Sequence, residues 1–140
     1  MIKKEDSKTI TFCLGDMTFE YDEWKNEYNI KHHGISFKHA ARVFFDYDRI
    51  ELYDEDNSET EDRYNTIGDL SAGYAGIPAI SETVIGNISS FTQNVSDIIF
   101  VVYTERIQID EAGQKTDVTR LISARFATNF ERGLYYGKCQ

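Results

Sequence analysis

One uninterrupted apolar run near the C-terminal end of the chain constrains the fold most. Residues 98–103 read Ile-Ile-Phe-Val-Val-Tyr, and most of them are β-branched or aromatic. A strand covered on one face alternates apolar and polar residues, whereas a strand covered on both faces does not need to. The run therefore predicts the central strand of a sheet, with protein packed on each side of it.

The segment Thr119–Phe126 predicts the partner of this strand, nearer an edge of the sheet or beside a polar site, because it mixes apolar and charged residues. Thr128 and Glu131 follow with the spacing of a capping box, so we expect a short C-terminal helix with Phe130 and Leu134 as its apolar seam. Strict alternation places the residues of the partner strand on two faces: Leu121, Ser123 and Arg125 on one, and Arg120, Ile122, Ala124 and Phe126 on the other.

Two helices are predicted in the N-terminal half. The first begins after Asp22, a favourable N-cap, and ends before Gly34, which suits a left-handed C-terminal position. The second begins after Ser36, and its apolar residues recur at helical spacing. Its predicted inner face consists of Phe37, Ala40, Ala41, Phe44 and Phe45.

Further strands are predicted from shorter patterns. Residues 18–21 form a short strand candidate, and residues 50–55 and 62–68 read as a hairpin around an acidic turn. Residues 9–14 alternate and are either an extra edge strand or a partly ordered extension. The motif at residues 66–71 is echoed at residues 84–89, so the sequence leaves open which copy pairs beside the central strand.

Together these patterns predict one α+β domain over residues 1–140, since the chain is too short for two ordinary domains. We expect an antiparallel or mostly antiparallel sheet of about four to six strands, two N-terminal helices and a short C-terminal helix. The sequence has neither a membrane-spanning apolar run nor a secretory signal, so the expected location is the cytoplasm. Cys13 and Cys139 lack metal-ligand or redox spacing and are read as free thiols.

The net charge of −9 argues at first against a nucleic-acid partner, because phosphate binding needs Lys and Arg side chains. Seven acidic residues and no basic residue lie between positions 51 and 62, however, so the rest of the chain is close to neutral. An acidic face and a basic face can therefore coexist on this domain.

Several blocks of the sequence follow one another in a characteristic order and spacing. They are Phe19–Asn26, Asn29–Phe37, Ala40–Asp46, Arg63–Gly68, Phe100–Arg106, Ile122–Thr128 and Glu131–Tyr136. Through these blocks the sequence resembles the BrnT family, the ribonuclease toxins of BrnT/BrnA type II toxin–antitoxin pairs, and the resemblance implies a RelE-like fold. The chain departs from the family at His32-His33-Gly34, where Lys-His-Gly is usual, in an N-terminal extension (1–17) and in an insertion (69–97).

The resemblance implies an endoribonuclease that cleaves RNA without a metal ion. Such cleavage needs a group that moves protons and cations that stabilise the phosphorane. Each candidate also has a plainer interpretation: the arginines pair with carboxylates, the histidine caps a helix, the lysine is solvated and the tyrosine packs in the core. The catalytic candidates are Arg125, Arg63, Arg106, His33 and Glu105, and the RNA-binding candidates are Lys25, Arg120, His32 and Tyr135. Arg106 and Arg120 flank one connection, so we expect them to lie close together and to need an anion.

The partners implied by the resemblance are an RNA substrate and a BrnA-like antitoxin, with a homodimer or a toxin–antitoxin hetero-oligomer left open. The sequence has no metal-ligand spacing and no cofactor-binding motif, so no metal or cofactor is expected. The competing hypothesis is a non-catalytic protein-binding module that retains the toxin fold. A DNA-binding regulator is less favoured, because no basic recognition helix is present.

Overall fold

The structure is a computed structural model that describes residues 2–71 and 97–137. Over these ranges it contains a six-stranded sheet and three α-helices, and the α+β prediction is confirmed at this level. The elements are β1 (Thr9–Leu14), β2 (Met17–Asp22), α1 (Glu23–His33), α2 (Phe37–Ala40), β3 (Ile50–Tyr53), β4 (Arg63–Asp69), β5 (Ile98–Ile109), β6 (Lys115–Phe126) and α3 (Asn129–Gly137), with 3-10 turns at Lys4–Asp6, Ala41–Phe45 and Glu55–Asn57.

The strand order of the sheet is β1-β2-β6-β5-β4-β3. Strands β2 and β6 pair in parallel, and the other four neighbouring pairs are antiparallel. The mostly antiparallel sheet and the central position of residues 98–103 are therefore confirmed. Strand β6 lies between β2 and β5, so of its two predicted positions the one nearer an edge is excluded and the one beside polar side chains remains. Residues 9–14 form an edge strand.

The start and end of α1 follow from its local sequence. The Asp22 carboxylate accepts a hydrogen bond from the Lys25 backbone N–H at 3.0 Å. Gly34 has a φ of 74° and donates its N–H to the Ile30 carbonyl, which is the C-terminal stop that the sequence predicts. The predicted second helix is only partly helical, because the single α-turn of α2 tightens into the 3-10 turn Ala41–Phe45.

Helices α1 and α2 cover one face of the sheet. Most of the predicted inner face of the second helix is buried, including Phe37, and Phe45 is half-buried. Asn29 of α1 is buried and joins the two layers. Its amide donates to the Ile35 carbonyl at 2.8 Å and accepts from the Ala124 N–H of β6 at 3.0 Å.

A β-bulge in β6 corrects the predicted faces of that strand. Val102 lies opposite Ser123 and Tyr103 lies opposite Leu121, so Ile122 is an extra residue on β6. An extra residue reverses the alternation beyond it. As a result Leu121 and Ala124 both face the helices, and the two arginines of β6, Arg120 and Arg125, share the opposite face instead of pointing apart.

Helix α3 lies against that opposite face, at the end formed by β4 and the start of β5. It docks through Tyr135, which packs with Ile67, Ile98 and Ala127. The predicted seam was wrong, because Phe130 is 75% exposed and Leu134 is 39% exposed. Within the described ranges no helix is long and apolar enough to cross a membrane.

Strand β4 answers the question left by the two similar motifs. Residues 63–69 pair with β5, so the first copy lies beside the central strand. The second copy, at residues 84–89, lies outside the described residues, as does Cys139. Cys13 is a free, exposed thiol.

Candidate nucleic-acid interface

Four arginines from three strands share the sheet face that α1 and α2 leave uncovered. Arg63 of β4 lies opposite Thr104, and Thr104 lies opposite Arg120 of β6. Arg106 lies two residues further along β5, on the same face. The fourth member is Arg125, which the bulge in β6 brings to this face. We call this face, defined by Arg63, Arg106, Arg120 and Arg125, the arginine surface.

The carboxylate of Glu20 lies at the centre of one half of the arginine surface. Arg120 donates from Nη1 to Glu20 Oε2, and Gln108 donates from Nε2 to Oε1 at 2.9 Å. Arg106 Nη1 lies 4.0 Å from the same Oε2. Arg106 and Arg120 thus lie close together, as expected from the sequence, and the anion between them belongs to the protein itself.

Glu61 provides a second, more exposed carboxylate. Its Oε2 accepts from Arg106 Nη2 at 3.2 Å, and its Oε1 lies 3.7 Å from Arg63 Nη2. The Nε of Arg63 and the Oδ1 of neighbouring Asn65 are buried without a hydrogen-bond partner. This part of the arginine surface therefore retains unsatisfied hydrogen-bonding groups.

Arg125 is held at the far end of the surface by α3. Its guanidinium donates to both carboxylate oxygens of Glu131, at 2.7 and 2.9 Å, and lies 4.3 Å from the centre of the Phe100 ring. Glu131 also accepts from the Thr128 N–H at 2.9 Å, which confirms the predicted capping box. The hydrogen bond from Arg125 is the main cause that lowers the pKa of Glu131.

His33 lies at the end of α1, within electrostatic reach of Arg125. Partial burial, and then the charges of His32 and Arg125, lower the pKa of His33 below its usual value. A lowered pKa keeps the imidazole neutral at physiological pH, which suits a group that accepts a proton. The His32 ring packs against the Tyr28 ring with 4.1 Å between centroids and a tilt of 38°, and Lys25 is exposed in the first turn of the same helix.

Not all of the predicted site residues lie on the arginine surface. Lys25 and His32 belong to α1, which packs against the other face of the sheet. Glu105 lies opposite Thr119, on the face that carries Tyr103, so alternation along β5 separates it from Arg106. Burial, and then the charges of Glu51 and Glu105, raise the pKa of Tyr103.

Tyr135 is only 7% exposed and donates its hydroxyl to Asp46 at 2.6 Å, so it packs in the protein and cannot stack on a base.

Three residues at the centre of the surface were missed by sequence reasoning, namely Glu20, Gln108 and Glu61. Glu20 and Gln108 are 88 residues apart, and Glu20 and Arg120 are 100 residues apart. The parallel pairing of β2 with β6 brings them together, and no local pattern encodes that pairing. The polar residue at position 20 between Phe19 and Tyr21, both buried, was the one available signal.

The fold and this face define a small α+β protein whose six-stranded sheet carries four arginines on one face, each within 4.0 Å of a carboxylate oxygen. Residues 21–89, close to half of the chain, match the family model for the ribonuclease toxin BrnT of type II toxin–antitoxin systems. The match confirms the resemblance over these residues. It extends through α1, β3 and β4 and stops before β5. No curated protein matches the chain.

Proposed function

We propose that the protein is a cytoplasmic endoribonuclease toxin that cleaves RNA without a metal ion and is neutralised by a BrnA-like antitoxin. The observation that carries this proposal is the arginine surface, because guanidinium groups on a rigid sheet can bind phosphate oxygens. The family match supports the ribonuclease class. In this proposal residues 1–140 form one RelE-like domain, with residues 1–17 as an extension and residues 69–97 as an insertion.

Each candidate has a role in the proposed cleavage. Arg63 and Arg106 bind the phosphates, and Arg125 stabilises the negative charge that develops on the phosphorane. His33 accepts the proton of the 2′-hydroxyl, because it lies at the end of α1 within electrostatic reach of Arg125 and its pKa is lowered. Alternation along β5 separates Glu105 from Arg106. Arg120 contacts RNA on the arginine surface in this proposal, and His32 and Lys25 make further RNA contacts from α1, which packs on the other face of the sheet.

Substrate binding requires the arginines to exchange carboxylates for phosphates. The Arg106–Glu61 pair is suited to such exchange, since the two side chains are 44% and 32% exposed. Exposed ion pairs contribute only about 0–1 kcal/mol to stability. A phosphate group can therefore compete with the Glu61 carboxylate for the Arg106 guanidinium, which binds both kinds of anion.

A second candidate function is a non-catalytic protein-binding module with the toxin fold. It is favoured by one specific observation: each of the four guanidiniums has a carboxylate oxygen within 4.0 Å. In that case the arginines serve only to form ion pairs within the folded protein. The protein then binds an antitoxin or a second copy of itself without cleaving RNA.

The two functions are separated by cleavage of a mixed-sequence single-stranded RNA in the presence of EDTA. We expect wild type to cleave, Arg125→Ala to lose about 10²–10³-fold in rate and His33→Ala to lose about 10²–10⁴-fold. Lys115→Ala removes a positive charge from an exposed position of β6 and serves as the control. Equal rates in all variants would remove these assignments. A wild-type chain that does not cleave would support the binding module.

A further inference from the structure

We propose that Glu20 is a positioning residue of the arginine surface: its carboxylate fixes the guanidinium of Arg120 and leaves Arg106 able to exchange onto a phosphate. This inference rests on the proposed ribonuclease function and deepens it. Glu20 touches no substrate in this proposal and acts through Arg120.

The carboxylates of Glu20 and Glu61 differ in burial, and this difference distinguishes a permanent ion pair from an exchangeable one. The Glu20 side chain is 6% exposed, whereas the Glu61 side chain is 32% exposed. Removing one partner from a buried ion pair is strongly destabilising, because the other charge stays buried and unpaired. Glu20 therefore retains Arg120 when a substrate binds, and Glu61 is the carboxylate that a phosphate replaces.

The backbone holds Glu20 and Arg120 in register. Glu20 lies directly opposite Arg120 in the parallel pairing of β2 and β6, and β6 is flanked by β5 on its other side. Groups on paired central strands are positioned more accurately than groups on loops. Gln108 donates to the other oxygen of Glu20, so the orientation of the carboxylate is fixed from two sides.

The Arg120 guanidinium keeps N–H groups that can bind a second anion while Glu20 holds it in place. A guanidinium has five N–H donors, and Glu20 accepts from Nη1 of Arg120. Arg120 remains 20% exposed, so N–H groups of the same fork can reach a second anion. One carboxylate between two guanidiniums also leaves a net positive charge there, while it prevents Arg106 and Arg120 from repelling each other.

The test is a double-mutant cycle on RNA cleavage with the full chain. Glu20→Ala is expected to lower kcat by about 10–100-fold, since a shift of about 1 Å in a positioned group has effects of that size. In an Arg120→Ala background the same change should lower kcat by less than about twofold, because a residue that acts through Arg120 has nothing left to position. Glu20→Gln keeps hydrogen-bond acceptors and should restore part of the rate.

Two further measurements make the cycle decisive. Thermal unfolding of each variant checks that it folds, and Glu111→Gln, an exposed acid in the β5–β6 turn, is the matched control. NMR signals of the Arg120 side chain report its mobility without RNA. They should indicate restricted rotation in wild type and faster rotation in Glu20→Gln.

The outcomes distinguish the inference from the function on which it rests. If wild type cleaves RNA and the losses from Glu20→Ala and Arg120→Ala simply multiply, the inference is wrong and the ribonuclease function stands. If wild type does not cleave, the proposed function and the catalytic part of the inference both fail. A freely rotating Arg120 side chain in wild type overturns the anchoring role of Glu20, whatever the cleavage assay gives.

Discussion

At the scale of single residues, Asp46 joins three parts of the fold. It is fully buried, and its two oxygens accept from the backbone N–H groups of Asp48 and Asp69 and from the Tyr135 hydroxyl. A buried carboxylate needs such donors, because its desolvation is otherwise very unfavourable. Asp46 therefore fixes α3 and the end of β4 to the turn that follows α2.

Tyr135→Phe tests this contact. The change removes one donor to a buried charged acceptor, so we expect the free energy of unfolding to fall by about 1.5–3 kcal/mol. Tyr136→Phe is the control, since Tyr136 is 56% exposed and surface changes usually stay within about 0.5 kcal/mol. Urea denaturation measures both. Equal stability of the two variants would mean that the Asp46 contact contributes nothing.

How far single residues are predictable depends on the chain distance to their partners. Asp22, Ser36 and the pair Thr128 and Glu131 have partners three residues away, and the sequence identifies them as caps. Asp46 contacts Tyr135 across 89 residues, and no pattern near either residue indicates the contact. Arg125 was predictable as a site candidate, but its pairing with Glu131 was not.

At the scale of elements, β4 and the 3-10 turn after α2 approach each other closely at Gly68. A Cβ atom at position 68 would lie 2.9 Å from the Val43 Cβ and 3.4 Å from the Arg49 Cβ. Such a distance does not occur between real Cβ atoms, so the turn or the strand would have to move. The absence of a side chain at Gly68 thus sets how tightly the turn packs on the sheet.

Gly68→Ala and Gly133→Ala form a matched pair of variants with opposite expected effects on stability. Gly68→Ala should lower the free energy of unfolding by about 1–3 kcal/mol, as overpacked sites do. Gly133 lies inside α3 with open space around its Cβ position, so alanine there should raise stability by about 0.5–1 kcal/mol. Thermal or urea unfolding measures the stability of both variants. A Gly68→Ala variant as stable as wild type would contradict the close packing of β4 against the 3-10 turn.

The elements themselves were largely predictable, because periodicity and caps are local. The bulge at Ile122 was not, since an extra residue in one strand shows only in the register with its partner. Because of that single residue, Arg120 and Arg125 lie on the same face of the sheet. The strict alternation assumed from the sequence had placed them on opposite faces. The seam of α3 was wrong for a related reason: the tertiary contact of Tyr135 with Ile67 and Asp46 determines which side of the helix docks.

At the scale of the whole molecule, acidic residues exceed basic ones, and the net charge is −9. Protonation of carboxylates therefore relieves repulsion in general but weakens particular ion pairs. Glu131 belongs to the second group, because its folded-state pKa lies below the usual value of 4.5. Its contribution to stability is fully present above the unfolded-state pKa and is lost as the pH falls through the folded-state pKa.

Glu131→Gln should make stability less dependent on pH in the acidic range. Glutamine can still serve in a capping box, so the variant removes the charge paired with Arg125 while it keeps the cap. We expect the difference in melting temperature between wild type and Glu131→Gln to shrink as the pH falls from about 6 to about 3. Glu59→Gln, an exposed position, is the control. A difference that stays constant over this range would rule out the linkage.

The parallel pairing of β2 with β6 also affects the order in which the protein can assemble. Glu20 emerges early during synthesis, but Arg120 follows one hundred residues later, and contacts so distant in sequence form late. A nascent chain on the ribosome can complete the β1–β2 hairpin, yet it has no arginine surface until β6 is translated. Any ligand of the arginine surface therefore meets it only when the chain is nearly finished, after α1 and the β1–β2 hairpin have been translated.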